Sequence, residues 1–458
     1  MSAKDFLLNN TKLNFYKPNP KVFDYFEKKK TVLNLFPNGT SNIGFDQMHR
    51  VNIDEEFDGW ITDMVLRIEL PKLIADDQED GGYLNWVDNI GHAIIKHIEV
   101  EAFGQIILNK LFPYGLWLDM YNELHDINNE EWDIIGKNAS VESLKVYKTK
   151  PQIIYVPLHL WFSKNNESAF PHFIINKSKK FGSCLKFGLM TRPLSELIVT
   201  SGNTDISHYK DTKITKIDLI YDSIRSNNTT DNIEIHRTIN QLYDSYKNLK
   251  TPYRIFFDNY KMDEGSTHIG TTLKHTLNLY SPVKFIYFVI RRNSRIRSLG
   301  IDKKADMAVN PVDGVNTNDW FNYGNITLNA LDTYDTFDYL TLTDKQCAKN
   351  WITSHSKLDS IYFRKVVPYL SNKHVPQKHI YSIDFSNSVN NDINGYLNVK
   401  NDRRLIFDFE NQMADSTITF ISVILNYIDI NIKVEGTSTA PPHTLLVKHN
   451  YWNSVMDR

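Results

Sequence analysis

Residues 277 to 292 read LNLYSPVKFIYFVIRR. The second half contains six consecutive apolar or aromatic residues, Phe285 to Ile290. Such a run is too short for an ordinary helix and far too short to span a membrane. Val, Ile, Phe and Tyr fit a pleated surface, and an unbroken run of them fits a strand buried on both faces. Leu277 to Tyr280 forms a second extended piece. Pro282 has no N–H to give a ladder and so separates the two. A strand of this kind requires a large β-core around it.

The remainder of the chain supplies that core. It has 458 residues, 41% hydrophobic and 23% charged, enough for two or three ordinary domains. Its 24 Tyr and 25 Phe favour strands. A net charge of -2 gives no electrostatic case for specific nucleic-acid binding. Cys184 and Cys347 lie far apart, outside any metal or redox spacing, and read as reduced structural residues. No apolar signal region or Met-Gly start opens the sequence, and synthesis in the cytosol is expected. Asn-x-Ser/Thr triplets at Asn38, Asn138, Asn166, Asn176 and Asn325 follow from an Asn-rich composition.

Residues 1–30 are polar with scattered aromatics and end in the charge run Glu27 to Lys30. They read as an N-terminal arm, either docked on a partner or a disordered terminus. From Gly44 the pattern has period two. Phe45 to Ile53 and Trp60 to Leu70 (WITDMVLRIEL) read as strands, the latter half-buried. The acidic run Asp76 to Asp80 lacks EF-hand offsets and reads as a solvated turn. In Ile94 to Glu101 alternate residues fall on opposite faces, and Phe103-Gly104 turns the chain back through Gln105 to Leu108. Tyr114 to Leu124 has helical spacing. Ile153 to Phe162, Phe173 to Ile175, Leu185 to Met190, Leu197 to Thr200 and Ile214 to Tyr221 are further strands.

Ser223 to Asp231 is a polar linker. Asn232 to Tyr246 reads as helical or mixed, and then the strand series resumes. Residues 293–356 read as a long irregular insertion carrying Trp320, Phe321, Tyr323, Tyr334, Phe337 and Tyr339. Strands are expected at Ile361 to Val367, Ile380 to Phe385, Arg404 to Phe409 and Ile418 to Ile432. The second half thus repeats the plan of the first: an all-β chain of short strands, one helix per half, and long outer loops. The expected division is an arm at 1–30, a first unit at 31–222, a linker at 223–232 and a second unit at 233–458 with its insertion at 293–356.

The sequence contains no nucleophile elbow, zinc-protease motif, phosphate loop or dinucleotide fingerprint. His92 and His97, five apart on an expected strand, fall on opposite faces and cannot share an ion. No His-x-His pair occurs, and His374 and His379 read as polar strand-end residues. Arg291, Arg292, Arg295 and Arg297 form the densest basic cluster, open to phosphate, an acidic partner or solvent. No catalytic, cofactor-binding or metal-binding residue is assigned.

Several stretches, in order, resemble the double jelly-roll major capsid proteins of nucleocytoplasmic large DNA viruses. LNLYSPVKFIYFVIR, 277–291, resembles the family strand Leu-Asn-Phe-x-x-Pro-Val-Lys-Glu and its aliphatic continuation. NWVDNIGHAIIKHIEVEAFGQIILNKLFPYGLWLDMYN, 85–122, resembles the family's long block, with Phe103-Gly104 in place of the usual Gly-Gly turn. IIYVPLHLWF, 153–162, is similar to the Val-Pro-Leu strand, and 361–385 to a late strand pair. The resemblance covers most of 44–385 and fades after 386. It implies two eight-stranded jelly rolls and a structural, non-enzymatic protein without cofactor. It further implies a homotrimer of pseudo-hexagonal outline that tiles an icosahedral virion shell beside neighbouring capsomers. The N-terminal arm would then meet minor capsid proteins or an internal viral membrane. A transient membrane-coating scaffold or minor capsid homologue is the alternative within the fold. A carbohydrate-binding β-sandwich is the alternative outside it.

Overall fold

A computed structural model describes residues 26–35, 44–53, 59–73, 84–87, 89–102, 105–108, 112–125, 134–136, 150–163, 169–172, 185–200, 212–226, 253–266, 272–278, 283–292, 321–329, 358–359, 365–370, 380–384, 404–411, 416–434 and 443–449. Eleven of its strands belong to the first half. They are β1 (Phe26–Asn34), β2 (Met48–Asn52), β3 (Trp60–Leu70), β4 (Leu84–Trp86), β5 (Ile95–Ala102), β6 (Gln105–Leu108), β7 (Gln152–Pro157), β8 (Phe170–Pro171), β9 (Lys186–Thr191), β10 (Ile198–Thr200) and β11 (Lys216–Ser226). The second half holds β12 (Tyr253–Ser266), β13 (Thr272–Asn278), β14 (Val283–Arg292), β15 (Phe321–Asn329), β16 (Leu358–Asp359), β17 (Ile380–Asp384), β18 (Arg404–Asn411), β19 (Ser416–Val434) and β20 (His443–His449). Among the described residues four α-helices intervene: α1 (Ile90–Ala93), α2 (Tyr114–Leu124), α3 (Leu194–Leu197) and α4 (Val367–Leu370).

The first half builds one sheet in the order β1-β11-β3-β7 and a second in the order β2-β9-β5-β6. The second half builds β12-β19-β14-β17 and β13-β18-β15-β16. With β4, β8 and β10 set aside as short additions, the eight remaining strands of the first half run 1-8-3-6 and 2-7-4-5. With β20 set aside as an addition beside β19, the other eight strands of the second half fall in the same two orders. All neighbours are antiparallel. Both halves are therefore jelly rolls of one topology, and the chain is a double jelly roll.

Alternation produces the first roll. On β3, Met64, Leu66, Ile68 and Leu70 are buried while Asp63, Val65, Arg67 and Glu69 are only half-buried. Across the roll, Ile98 and Val100 of β5 lie opposite Leu189 and Phe187 of β9 and close the core. The opening stretch behaves differently. Ile286 to Val289 of β14 are all buried, and β14 lies between β19 and β17. One face of β14 points into the second roll: Phe288 is stacked on Tyr381 at 5.1 Å and meets Phe407 of the opposite sheet at 6.3 Å. Tyr287 points the other way and meets the first roll. The continuous apolar run thus reflects a sheet covered on both sides.

Five expectations change in detail. β1 begins at Phe26, inside the segment read as an arm, because Lys28 and Lys30 point outward from an edge strand, where lysines discourage further pairing. β11 continues to Ser226, into the segment read as linker, because its polar end pairs with β1. The insertion at 293–356 contains β15, which pairs with β18 along its length; FNYGNITLN is too polar to signal a strand by periodicity. Of Ile361 to Val367 only 365–367 are described; Val367 opens the helix α4 (Val367–Leu370), and the two-residue β16 lies before the expected strand. IIYVPLHLWF also divides: β7 ends at Pro157, His159 has φ +43°, and Trp161–Ser163 is a 3-10 turn. Residues 76–80, 173–175 and 232–246, both cysteines, His374, His379, Arg295 and Arg297 lie outside the described residues.

Candidate assembly surfaces

The described side chains converge on two surfaces: a seam between the rolls, and the outer face of the first roll's β1-β11-β3-β7 sheet. The seam is organised by α2. Its sequence YGLWLDMYNEL places Leu116, Trp117, Met120 and Leu124 at helical spacing, and all four are buried. Pro113 precedes the first turn, and Trp117 donates its backbone N–H to the Pro113 carbonyl at 3.2 Å. Gly115 lets the helix approach the α1–β5 segment so closely that a Cβ there would lie 2.2 Å from the His92 carbonyl oxygen.

Seated in this way, α2 lies against the outer face of the second roll. Trp117 meets Tyr260 of β12 at 4.7 Å and Tyr287 of β14 at 5.4 Å between ring centroids. Phe112 stacks on Tyr260 at 5.0 Å, and Trp161 sits 5.6 Å from Phe257. Ile421 and Val423 of β19 belong to the same buried cluster, so the first roll's core continues across the seam to the outer face of the second roll, whose inner residues Phe288, Phe407 and Phe420 form a separate core. Burial pushes the hydroxyls of Tyr114, Tyr260 and Tyr287 well above the ordinary tyrosine range. Tyr114 satisfies its own by donating to the Leu158 carbonyl at 2.7 Å. The ammonium of Lys284 donates to Asp258 at the same seam, a buried ion pair linking β14 to β12. A dry aromatic seam of this kind fixes two rolls as one body.

Beneath α2 lies a buried polar cluster. Asn89, in the left-handed conformation at φ +60°, donates to Asp119 at 2.9 Å and contacts His92 at 3.0 Å. Asn122 reaches the other ring nitrogen of His92 at 3.4 Å. His92 thus ties α1 to α2 inside the roll. His97 lies on β5 and contacts the Phe112 carbonyl at 3.3 Å. The two histidines lie on different elements, not on two faces of one strand. Among the described residues no group of three or more His, Cys, Asp or Glu is placed to hold a metal ion.

On the outer face of the first roll, opposed residues form rows across the sheet. One row is apolar: Val32, Ile220, Val65 and Pro157. Val32 is 56% exposed, and Ile153 and Tyr155 of β7 are exposed nearby. The flanking rows are charged and paired within the face. Lys28 and Lys30 reach Asp222 at 3.0 and 2.7 Å, and Arg67 and Lys216 each reach Asp218 at 3.0 Å. Asp63 stands directly opposite Asp222. Burial, and then the charge of Asp222, raise the Asp63 carboxyl above its usual value. For Asp222 burial acts upward, but hydrogen bonds from Lys30 and Lys28 outweigh it and leave the carboxyl low.

The signs of these two shifts are opposite and testable. A raised carboxyl disfavours the charged native state above its folded pKa. A depressed one stabilises the fold above the unfolded pKa and loses that contribution as pH falls through the folded value. At pH 7, Asp63→Asn should raise stability by about 0.5 kcal/mol and Asp222→Asn should lower it by a similar amount. Thermal melts of the two variants at pH 7 check this, and shifts of the same sign would contradict it.

Comparison with known proteins agrees with this architecture. Residues 23–179 match the family model described as major capsid protein N-terminus. The chain is 30% identical over 145 residues to capsid protein 1 of Acanthamoeba polyphaga mimivirus, covering 28% of this chain and 24% of that protein. It is 29% identical over 125 residues to probable capsid protein 4 of the same virus, covering 26% of this chain and again 24% of that protein. Among solved structures, the Faustovirus major capsid protein matches with a TM-score of 0.60 at 13% identity, over 88% of this chain and 90% of that one. The PBCV-1 virus capsid matches at 0.58 and 16% identity, over 88% and 94%. The solved structures share the double jelly-roll fold of this chain, and residues 23–179 are similar to the N-terminal part of major capsid proteins.

Proposed function

We propose that this chain is a major capsid protein. Three copies associate into a capsomer of pseudo-hexagonal outline, and capsomers tile an icosahedral shell. One observation carries the reading. Two rolls of identical strand order are fused through a dry aromatic seam, so each chain offers two near-equivalent bodies and three chains offer six. The role is structural and non-enzymatic, the location is the virion, and synthesis takes place in the host cytoplasm. The segment preceding β1 is assigned to contacts with minor capsid proteins or an internal viral membrane. The proposed division keeps a roll on each side of a linker near 223–232.

Light scattering on the purified chain tests the reading, with three copies of the 53.4 kDa chain expected. Electron microscopy of the same sample should show hexagonal particles. A stable monomer that binds glycan would overturn the reading in favour of a carbohydrate-binding sandwich. Mass spectrometry of purified virions separates a shell protein from a transient scaffold, because a scaffold is missing from mature particles.

A further inference from the structure

One buried contact at the seam brings together two groups that can react with each other. The ladder between β14 and β19 slips by one residue at this point: Val283 lies opposite Ile424, and Phe285 lies opposite Val423. Lys284 is the extra residue. A bulge leaves such a residue outside the pairing and re-aims its side chain. Here the side chain crosses β19 and reaches β12, where Asp258 stands opposite Leu425. The Lys284 Nζ lies 2.5 Å from the Asp258 Oδ1.

The surroundings set this pair apart. The Lys284 side chain is 11% exposed and that of Asp258 is 5% exposed. In the other described lysine–carboxylate pairs the lysine keeps a third or more of its side chain in solvent. Water solvates the ions there, and the pairs stay ionic. At the seam both charges carry a desolvation cost that weighs against their attraction, and an uncharged link between the same atoms would carry none of it. Asp258 shares the seam with the buried rings of Tyr260 and Tyr287, whose hydroxyls feel its charge and stay protonated.

We propose that Lys284 and Asp258 condense into an intramolecular amide, a covalent staple from β14 to β12 across β19. The step balances within the pair. A proton passes from Nζ to the carboxylate, and the free amine attacks Cγ. The Nζ–Cγ bond forms and one Cγ–Oδ bond breaks. The departing oxygen leaves as water with two protons that began on Nζ. No oxidant, metal or activating nucleotide is required. Two groups held in contact by the fold react as if at an effective concentration on the order of 10⁵ M or more. The product closes the chain between residues 258 and 284 into a covalent loop that contains β13, so the first and third strands of the second roll are tied with the second strand enclosed. The bond lies within a single chain and is independent of the capsomer reading.

Intact-mass spectrometry of the full chain, folded and then denatured, reads the step directly. The native chain should weigh one water less than its sequence, and Lys284→Arg should show the full mass of its own sequence. Trypsin should leave the native chain uncut at Lys284 and release a branched peptide joining residues 255–261 to residues 275–291. That peptide map needs only the native chain, so the result stands even where the variant fails to fold. A native mass equal to that of the sequence would mean an ion pair only and would overturn the proposal. A mass lower by one water whose loss maps to a single linear peptide, as in a succinimide, would overturn it equally. Neither result bears on trimer formation.

Discussion

Gly115→Ala should destabilise the protein by about 3 kcal/mol, lowering the thermal midpoint by about 3 °C. The added Cβ would lie 2.2 Å from the His92 carbonyl oxygen and 2.5 Å from that of Ile95. Both are backbone atoms, and neither can turn aside as a side chain would. Alanine is favoured over glycine inside a helix by about 1 kcal/mol, so intrinsic propensity alone predicts the opposite sign. Relieving the clash requires α2 to lift from the α1–β5 segment, which also pulls Trp117 from its seat on the second roll. Gly44→Ala is the control. Its Cβ would meet only the flexible end of Gln47, at 2.8 Å, and little change is expected. Equal midpoints for Gly115→Ala and the native chain would refute the close approach.

Trp117→Ala should cost about 4 kcal/mol and uncouple the rolls. The indole is 3% exposed and faces Tyr260, Tyr287 and Tyr121 at centroid separations of 4.7, 5.4 and 5.7 Å. Its removal leaves a cavity lined by rings belonging to two rolls that have separate inner cores. Differential scanning calorimetry should then resolve two transitions where the native chain shows a single cooperative one. Trp117→Phe should cost much less. The indole N–H has no hydrogen-bond partner, so phenylalanine keeps most of the packing and forfeits no hydrogen bond. A single transition at the native midpoint in Trp117→Ala would show that the seam does not couple the rolls.

Much of the architecture is legible in the residues. WITDMVLRIEL predicts β3 to the residue, because a sheet with one solvated face alternates strictly. YGLWLDMYNEL predicts α2, because its apolar positions recur at helical spacing. The strands β9, β10, β17, β18 and β19 fall within a few residues of their expected places. What escaped periodicity had a local reason. FNYGNITLN lacks alternation, and its strand exists through pairing with β18. Phe26 to Lys30 looks like a solvated tail, and its strand exists because Asp222 holds its lysines against β11. IIYVPLHLWF is mostly apolar, and only the backbone geometry at Pro157 and His159 divides it into a strand and a turn. Neither assembly surface could be seen in advance. The row Val32–Ile220–Val65 brings together residues nearly two hundred positions apart, and the seam sets Trp117 beside Tyr287.

By itself, LNLYSPVKFIYFVIRR determined that a strand here is buried on both faces, since six apolar residues in a row leave no side for water. It also determined that the strand has a neighbour across a proline break, and the alternating segments around it determined a β-core repeated twice. Only the tertiary structure decided what the two faces of β14 touch. Phe288 meets Phe407 across its own roll, while Tyr287 meets Trp117 from the other. The physical reason is range. Periodicity records whether a side chain avoids water, a property of each residue and its neighbours in the chain. Which surface excludes that water is settled by packing between segments more than one hundred and fifty residues apart, Trp117 against Tyr287 among them.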